Sequence, residues 1–252
     1  MYNIKNFAPD GLVDYKPYGP YMILTYNQDM SVSRDEVVAA FYSAKMNRKK
    51  KQIVCDLSQT SSGIVVQAGA MQWMLGDVVA KTDVKSAGSL FKKAATASVT
   101  GETAIKPVYT GEGHIALEPT YKHIIPIDIA KWGGSINIAD GTFLTCENTI
   151  KISVSPMSVS AGLLGGNGFF VTNASGNGWL LLESPWPVEE MLEIDLDDDQ
   201  IKVDGNLVIA WSKGVTCTVE RTTATLIGSA ASGEGLVNVY RGTGKVLMIP
   251  VK

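Results

Sequence analysis

Residues 166–184 read GNGFFVTNASGNGWLLLES, two glycine-rich steps that are each followed by a run of strand-forming residues. Related stretches occur at 101–118, GETAIKPVYTGEGHIALE, and at 233–250, GEGLVNVYRGTGKVLMIP. Glycine adopts the backbone angles of tight turns, and short runs of β-branched and aromatic residues between turns are typical of strands. The three stretches therefore predict a small unit of turn, strand, turn and strand that occurs three times.

A second glycine motif lies between these stretches, in VVQAGAMQWM, INIADGTFLTC and IKVDGNLVIAW. Asp-Gly between strand-forming residues is typical of a tight hairpin, so paired strands are predicted on either side of 140–141 and 204–205. The alternation of Ile150, Ile152 and Val154 with polar residues favours strands over helices. Together the patterns predict an all-β fold of antiparallel sheets, either a sandwich or a barrel.

The glycines divide the chain into an N-terminal part, 1–61, and a β domain, 62–252, which together form one compact unit. Within the β domain the predicted repeat cores are 62–129, 130–196 and 197–252. The glycines predicted to form structural turns are Gly69, Gly111, Gly113, Gly141, Gly166, Gly168, Gly176, Gly178, Gly205, Gly233, Gly235, Gly242 and Gly244.

One helix is predicted over residues 33–47, SRDEVVAAFYSAKMN. Ser33 and Glu36 have the spacing of a capping box, and an apolar stripe runs from Val37 through Phe41. The basic residues 48–51 suit the negative end of the helix dipole. A further helical turn is predicted at 187–191, where a proline precedes carboxylates.

Composition limits the classes of function. The net charge of −3 and the isoelectric point near 5.5 give no overall attraction for a nucleic-acid backbone. The three cysteines, Cys55, Cys146 and Cys217, are far apart and in no metal-binding spacing, which favours a reducing cytoplasm. No signal peptide or membrane-spanning run is present in the sequence, so a soluble cytoplasmic protein is expected.

Four segments together resemble a known family: GAMQWMLGDV at 69–78, TGEGHIALEPTYKHIIPIDI at 110–129, GLLGGNGFFVTNASGNGWLLLES at 162–184 and VDGNLVIAW at 203–211. The family is named for altered inheritance of mitochondria, and the match runs from about residue 62 to the C-terminus. The resemblance implies a fold similar to the tryptophan RNA-binding attenuator protein, a shortened relative of the double-stranded β-helix, in several copies per chain. It implies no catalytic residues, and the segment 33–51 departs from the family pattern.

A metal-dependent, cupin-like enzyme is one alternative that such a fold suggests, because cupins hold a metal with several histidines and a glutamate. His114, Glu118 and His123 are the only residues here on which that alternative could rest, and the paired histidines of the motif are missing. We therefore predict no catalytic site, no metal and no cofactor.

The basic run Arg48, Lys49, Lys50 and Lys51 is the local feature that could contact a nucleic acid or a membrane surface. A nucleic-acid-binding module is thus a second alternative, although the acidic composition gives no strong signal for it. The preferred hypothesis is a non-enzymatic assembly or interaction protein that forms a homo-oligomer, because small β units leave open sheet edges. A trimer is the expected size.

Overall fold

The computed structural model describes residues 2–29, 31–82, 106–156, 158–159, 170–221 and 236–250. These residues form one α-helix, α1 (Val37–Lys45), and seventeen strands. The strands are β1 Val13–Tyr18, β2 Tyr21–Tyr26, β3 Lys51–Asp56, β4 Ile64–Val66, β5 Met71–Lys81, β6 Val108–Leu117, β7 His123–Asp128, β8 Ser135–Ile138, β9 Phe143–Glu147, β10 Ile150–Pro156, β11 Ser158–Val159, β12 Phe170–Gly176, β13 Trp179–Ser184, β14 Leu192–Val203, β15 Val208–Ser212, β16 Val215–Arg221 and β17 Leu236–Met248. The predicted all-β class with one N-terminal helix is confirmed.

The strands make two sheets, and with one exception, β11 beside β16, the pairs are antiparallel. The first sheet has the order β1-β2-β3-β6-β4-β9-β13-β7, with β5 also on β6. The second has the order β10-β12-β8-β15-β17-β16-β11, with β14 also on β17. The first sheet curls into a nearly closed barrel around a core that includes Tyr21, Ile64, Ile115 and Leu181, all almost fully buried.

Strands β6 and β17 are long because each pairs with two successive strands on one side and with one long strand on the other. The C-terminal half of β6 pairs with β3 and its N-terminal half with β4, while β5 runs along the other side of both halves. In the same way β17 lies between β14 on one side and β15 and β16 on the other. Strands β12 and β13 have the equivalent pairings but are separate strands: β12 pairs with β8 and β10, and β13 pairs with β7 and β9.

Glycines occupy the bends of these long strands. Gly111, Gly176 and Gly242 have φ values of 121°, 142° and 135°, which L side chains rarely adopt. A Cβ atom at these positions would overlap a backbone carbonyl oxygen of the neighbouring strand or turn, at Asp77, Thr149 and Gly214 respectively. The close backbone approach therefore requires glycine at the same place in three hairpins.

Several predicted turns need correction. Gly111, Gly113, Gly242 and Gly244 lie inside strands β6 and β17, where positive φ bends the strand without ending it. Gly176 ends β12 and Gly178 follows it, while Gly69, Gly141 and Gly205 lie in turns or bends between strands. Gly166, Gly168, Gly233 and Gly235 are outside the described residues.

The Asp-Gly prediction is right about the turns and wrong about the pairing. Strands β8 and β9 flank Gly141 but lie in different sheets, and β14 and β15 flank Gly205 but each pairs with β17. The chain thus crosses from one set of partners to another at these turns and does not fold back on itself. The Asp-Gly sequence predicts that the chain turns, but which strands then pair depends on which strand faces become buried.

The helix is shorter than predicted. Residues 33–36 form a turn in which the Glu36 amide donates to the Ser33 carbonyl, 3.1 Å, and the helix begins at Val37. The Ser33 hydroxyl donates to the Glu36 carboxylate, 2.8 Å, so it does not cap a helical amide. The apolar stripe is not buried: Phe41 is 56% exposed. The helical turn predicted at 187–191 is present as a short 3-10 helix, Val188–Glu190. No helix of the described residues is long and apolar enough to cross a membrane.

The glycine geometry leads to a stability prediction. We expect Gly111→Ala to lower the free energy of unfolding by about 3 kcal/mol, because the new methyl group adds a backbone overlap to the strain of positive φ. Gly69 is the matched control, since it also has positive φ but open space where a methyl group would lie. Gly69→Ala should therefore cost only about 1 kcal/mol. Equal losses in urea unfolding of the two variants would contradict the role given to the close approach.

Candidate functional site

A cavity of about 350 Å³ lies at the seam of the barrel, where the first strands of the sheet meet the last. Strands β1 and β2 contribute one wall and β7 contributes another, with the 3-10 turn Val188–Glu190 beside them. The seam forms because the curled sheet ends at β7 without a hydrogen-bonded partner among the described strands beyond it. The contact between the rings of Tyr18 and Trp179, with centroids 5.1 Å apart, helps to hold the two ends together.

Three lysines line this seam pocket: Lys16 of β1, Lys49 and Lys51. The extended chain entering β3 places Lys49 and Lys51 on one side and Lys50 on the other, because side chains alternate along a strand. Lys50 pairs with Asp29 instead. The basic run therefore divides its charges between an ion pair and the pocket, and Arg48 is exposed beside them.

The pocket lysines are not neutralised by close carboxylates. Among the described residues Lys16, Lys49 and Lys51 form no ion pair, and Lys49 donates to the amide oxygen of Asn27, 2.8 Å. Asp14 and Glu189 also line the cavity. Burial lowers the pKa of Lys51, and the nearby Lys49 and Arg48 lower it further, against the opposing effect of Glu189. The pocket thus holds three ammonium groups against two carboxylates, with Lys51 partly buried, and this excess of positive charge favours an anion.

His123 forms part of the same pocket. It is the first residue of β7, pairs in register with Ser184 and is only 8% exposed. Burial lowers its pKa, and the positive charge of Lys51 acts in the same direction. A neutral imidazole can both donate and accept a hydrogen bond, so His123 adds a polar group that does not repel the lysines.

His114 lies elsewhere. It is in β6 opposite Asp56, at one end of β3, whereas Lys51 and the pocket of His123 are at the other end of that strand. Its Nδ1 atom is 2.6 Å from the hydroxyl of Tyr2. Glu118 is exposed beyond the end of β6. The structure therefore does not bring His114, Glu118 and His123 together, and no group of three or more metal-ligating side chains occurs within the described ranges.

The cysteines do not form a nucleophilic site. Cys55 and Cys146 are buried, and burial raises the pKa of both thiols far above neutrality. Burial also raises the pKa of Cys217 to about 11. All three thiols stay protonated at neutral pH, and the thiolate is the reactive form.

Sequence reasoning identified Lys49, Lys51 and His123 separately but missed Lys16, Tyr15 and Glu189 as their neighbours. Lys16 alternates with apolar and aromatic residues in β1, a pattern that indicates only an outward-facing position. No local sequence pattern predicts that β1 lies near β7, because the curvature of the whole sheet brings the two strands together. A prediction of the strand order would have been needed to find this site.

The fold and the pocket define a β-sheet protein whose one α-helix, within the described residues, lies outside the core and whose seam pocket is lined by three lysines. The sequence model of the family described as "Mitochondrial biogenesis AIM24" matches residues 42–251. The chain belongs to this family, as the sequence resemblance indicated. The match begins at Tyr42, inside α1, so the basic run predicted to depart from the family pattern lies within the matched residues.

The similar proteins are themselves described without a function. An uncharacterized protein of Streptococcus pyogenes serotype M6, M6_Spy0233, is 27% identical over 191 residues, which are 73% of this chain and 75% of the relative. The crystal structure of protein SPYM3_0169 from Streptococcus pyogenes matches with a TM-score of 0.58 and 23% identity, over 81% of this chain and 89% of the other. The latter likeness concerns the fold alone.

The crowding of charge at the seam predicts a change in the titration of His123. We expect Lys51→Gln to raise the pKa of His123 toward its ordinary value of about 6.5, because a neighbouring positive charge is removed. The measurement is an NMR titration of the imidazole signals, which are assigned with a His114→Gln variant. Lys81→Gln, in a lysine at the exposed end of β5, is the matched control and should leave the pKa of His123 unchanged. An identical His123 titration in Lys51→Gln would contradict the proximity of the two side chains.

Proposed function

We propose that this protein is a non-catalytic assembly protein that associates with further copies of itself through open sheet edges. The observation that supports the proposal is the state of β5 and β14, which are 11 and 12 residues long. Among the described residues β5 pairs only with β6 and β14 only with β17. Each strand therefore presents a full edge of backbone donors and acceptors.

Open edges of this length usually have a partner or a protective feature, because unpaired strands associate with other chains. The first half of β14 has such a feature, since it carries exposed acidic residues and a register shift between Leu196 and Asp199. The first half of β5, 71–76, carries no charged residue, and the last four residues of β14, 200–203, carry one, Lys202. These two segments are the parts of the edges best suited to pairing.

The two alternatives gain no support. The separation of His114 from His123 removes the ligand set on which a cupin-like metal enzyme would rest. Within the described residues the basic run is divided between an ion pair and a small pocket, and the whole chain has a net charge of −3, so neither observation favours a nucleic acid. The likeness to the tryptophan RNA-binding attenuator protein stays a prediction from the sequence.

The assembly proposal leads to a direct measurement. We expect native mass spectrometry and light scattering to find a homo-oligomer, with a trimer as the predicted size, which dissociates on dilution. A protein that stays monomeric at high micromolar concentration would overturn the proposal. Nucleotide or metal retained in stoichiometric amount would instead revive one of the alternatives.

The seam pocket supports a second role, the binding of a small carboxylate or phosphate anion. Lys16, Lys49 and Lys51 converge on one cavity without an ion-pair partner among the described residues. Charge-assisted hydrogen bonds from ammonium groups to such an anion are among the strong polar contacts in proteins.

Titration with inorganic phosphate and with citrate tests this role. We expect NMR shifts to concentrate on β1, the start of β3 and β7, and Lys51→Gln to weaken binding about tenfold, which corresponds to the loss of one charge-assisted contact. Lys81→Gln is again the control, with unchanged affinity expected. Shifts spread evenly over the exposed lysines would contradict a pocket and indicate only a general effect of salt.

A further inference from the structure

The strand pairing of the described residues contains the same motif three times. Six strand segments in chain order make up each set, and the fifth and sixth segments form the long central strand or strand pair. In chain order, the first set is β3, β4, the two halves of β5 and the two halves of β6. The second set is β7, β8, β9, β10, β12 and β13. The third set is the two halves of β14, then β15, β16 and the two halves of β17. In every set the sixth segment pairs with the first and third, and the fifth pairs with the second and fourth.

Neighbouring sets are joined in one way. The second segment of one set pairs antiparallel with the third segment of the next, as β4 does with β9 and β8 with β15. At the first junction Val65 is opposite Cys146, and at the second Asn137 is opposite Trp211. We call these contacts the internal junctions.

The two internal junctions have the same register. On the side away from the junction, Val65 is opposite Val108 and Asn137 is opposite Asn173. These partners lie three positions before Gly111 and Gly176 respectively. On the side away from the junction, Cys146 is opposite Leu180 and Trp211 is opposite Val246. These partners lie two positions after Gly178 and Gly244 respectively. The glycine landmarks thus make the two junctions equivalent residue by residue, since Gly111 and Gly176, and likewise Gly178 and Gly244, occupy matching bends.

The positions of the bend glycines also identify two segments that are equivalent to junction strands but are not paired with each other in the described residues. Lys202 of β14 is opposite Val239, three positions before Gly242, and corresponds to Val65 and Asn137. Met74 of β5 is opposite Ile115, two positions after Gly113, and corresponds to Cys146 and Trp211. Within the described residues neither segment has a partner on its outer edge.

Exposure distinguishes the joined segments from the open ones. Cys146 is 0% exposed and Trp211 is 4% exposed, whereas Met74 is 47% exposed. Lys202 is exposed as well. An apolar side chain at a position that is covered in both internal junctions is thus left in solvent, and covering it would remove apolar surface from water.

We propose that β14 of one copy pairs antiparallel with β5 of a second copy and repeats the internal junction between chains. The register places Ile201 opposite Leu75, Lys202 opposite Met74 and Val203 opposite Trp73. This inference rests on the proposed self-association and identifies the surfaces that carry it. Because the two edges differ, the contact is head-to-tail and gives a ring when the rotation closes and an open chain when it does not.

Other open edges do not compete with this assignment. Among the described residues the first segments do not pair with a segment of another set. Of the fourth segments, only β16 pairs with a strand from another set's stretch of chain, the two-residue β11, and that pair is parallel. The first segment of the third set is the acidic half of β14, with its bulge after Leu196. Within the described ranges only second and third segments form antiparallel junctions between sets, and each of these two kinds has one open member.

Mixing two variants that each carry one added cysteine, beside the buried Cys55 and Cys146, tests the pairing between copies. In a Cys217→Ser background, a ¹⁵N-labelled Lys202→Cys protein is mixed with an unlabelled Met74→Cys protein and mildly oxidised. Cross-strand neighbours come close enough for a disulfide with small adjustment. We expect a labelled–unlabelled dimer joined at these two positions, at a yield about tenfold above that of the control mixture of Lys202→Cys with Lys81→Cys.

The outcomes separate this inference from the proposed function. A protein that is oligomeric by native mass spectrometry but gives no disulfide above the control would overturn the inference and leave self-association standing. A monomeric protein would overturn both. A disulfide that forms only within one chain, in the double variant Met74→Cys with Lys202→Cys, would show that the third junction closes on itself and would also overturn the inference.

A charge pair provides a second test that needs no oxidation. Met74→Lys places a second ammonium group opposite Lys202 and removes the exposed apolar side chain, so we expect it to raise the dissociation constant of the oligomer about tenfold. Combination with Lys202→Glu turns the repulsion into an attraction and should restore most of the affinity. Weakening in the single variant without recovery in the double variant would contradict the assigned register.

Discussion

The rest of the structure depends on the close approach of two backbones at the glycine bends. At Gly111, Gly176 and Gly242 a neighbouring carbonyl oxygen occupies the space that a Cβ atom would need. This approach lets one continuous strand such as β6 or β17 bend and pair with two successive strands on one side and one long strand on the other. Strands β12 and β13 keep the same approach at Gly176 and the same pairings, although residues 177–178 separate them.

The curl that these bends produce also creates the seam. A sheet of this kind either closes, with its last strand bonded to its first, or leaves a gap at which side chains from distant parts of the sequence meet. Here the gap collects Lys16, Lys51 and His123 from three strands. The lowered pKa values of Lys51 and His123 follow from that position, because partial burial and like charges both disfavour protonation.

The sequence allowed the class of fold to be predicted because its signals are local. The alternation at 150–154 matches strand β10, and each predicted glycine within the described residues marks a bend or a turn. The errors arose where partners are chosen over long distances: Gly141 suggested a hairpin, but β8 and β9 pair in different sheets. The pocket was predictable only in part, since Lys49 and His123 were noticed separately and the strand order that joins them has no local signal.

The segment that carries α1 is closed at its base by the hydrogen bond from the Tyr26 amide to the Lys50 carbonyl, 2.9 Å. Strands β2 and β3 pair directly below this bond, so their register does not depend on what lies between them. The entropic cost of closing a loop grows slowly with its length. Residues 31–47 are therefore a site at which this fold can exchange, lengthen or lose sequence during evolution, and at which a reporter domain can be inserted while the barrel stays intact.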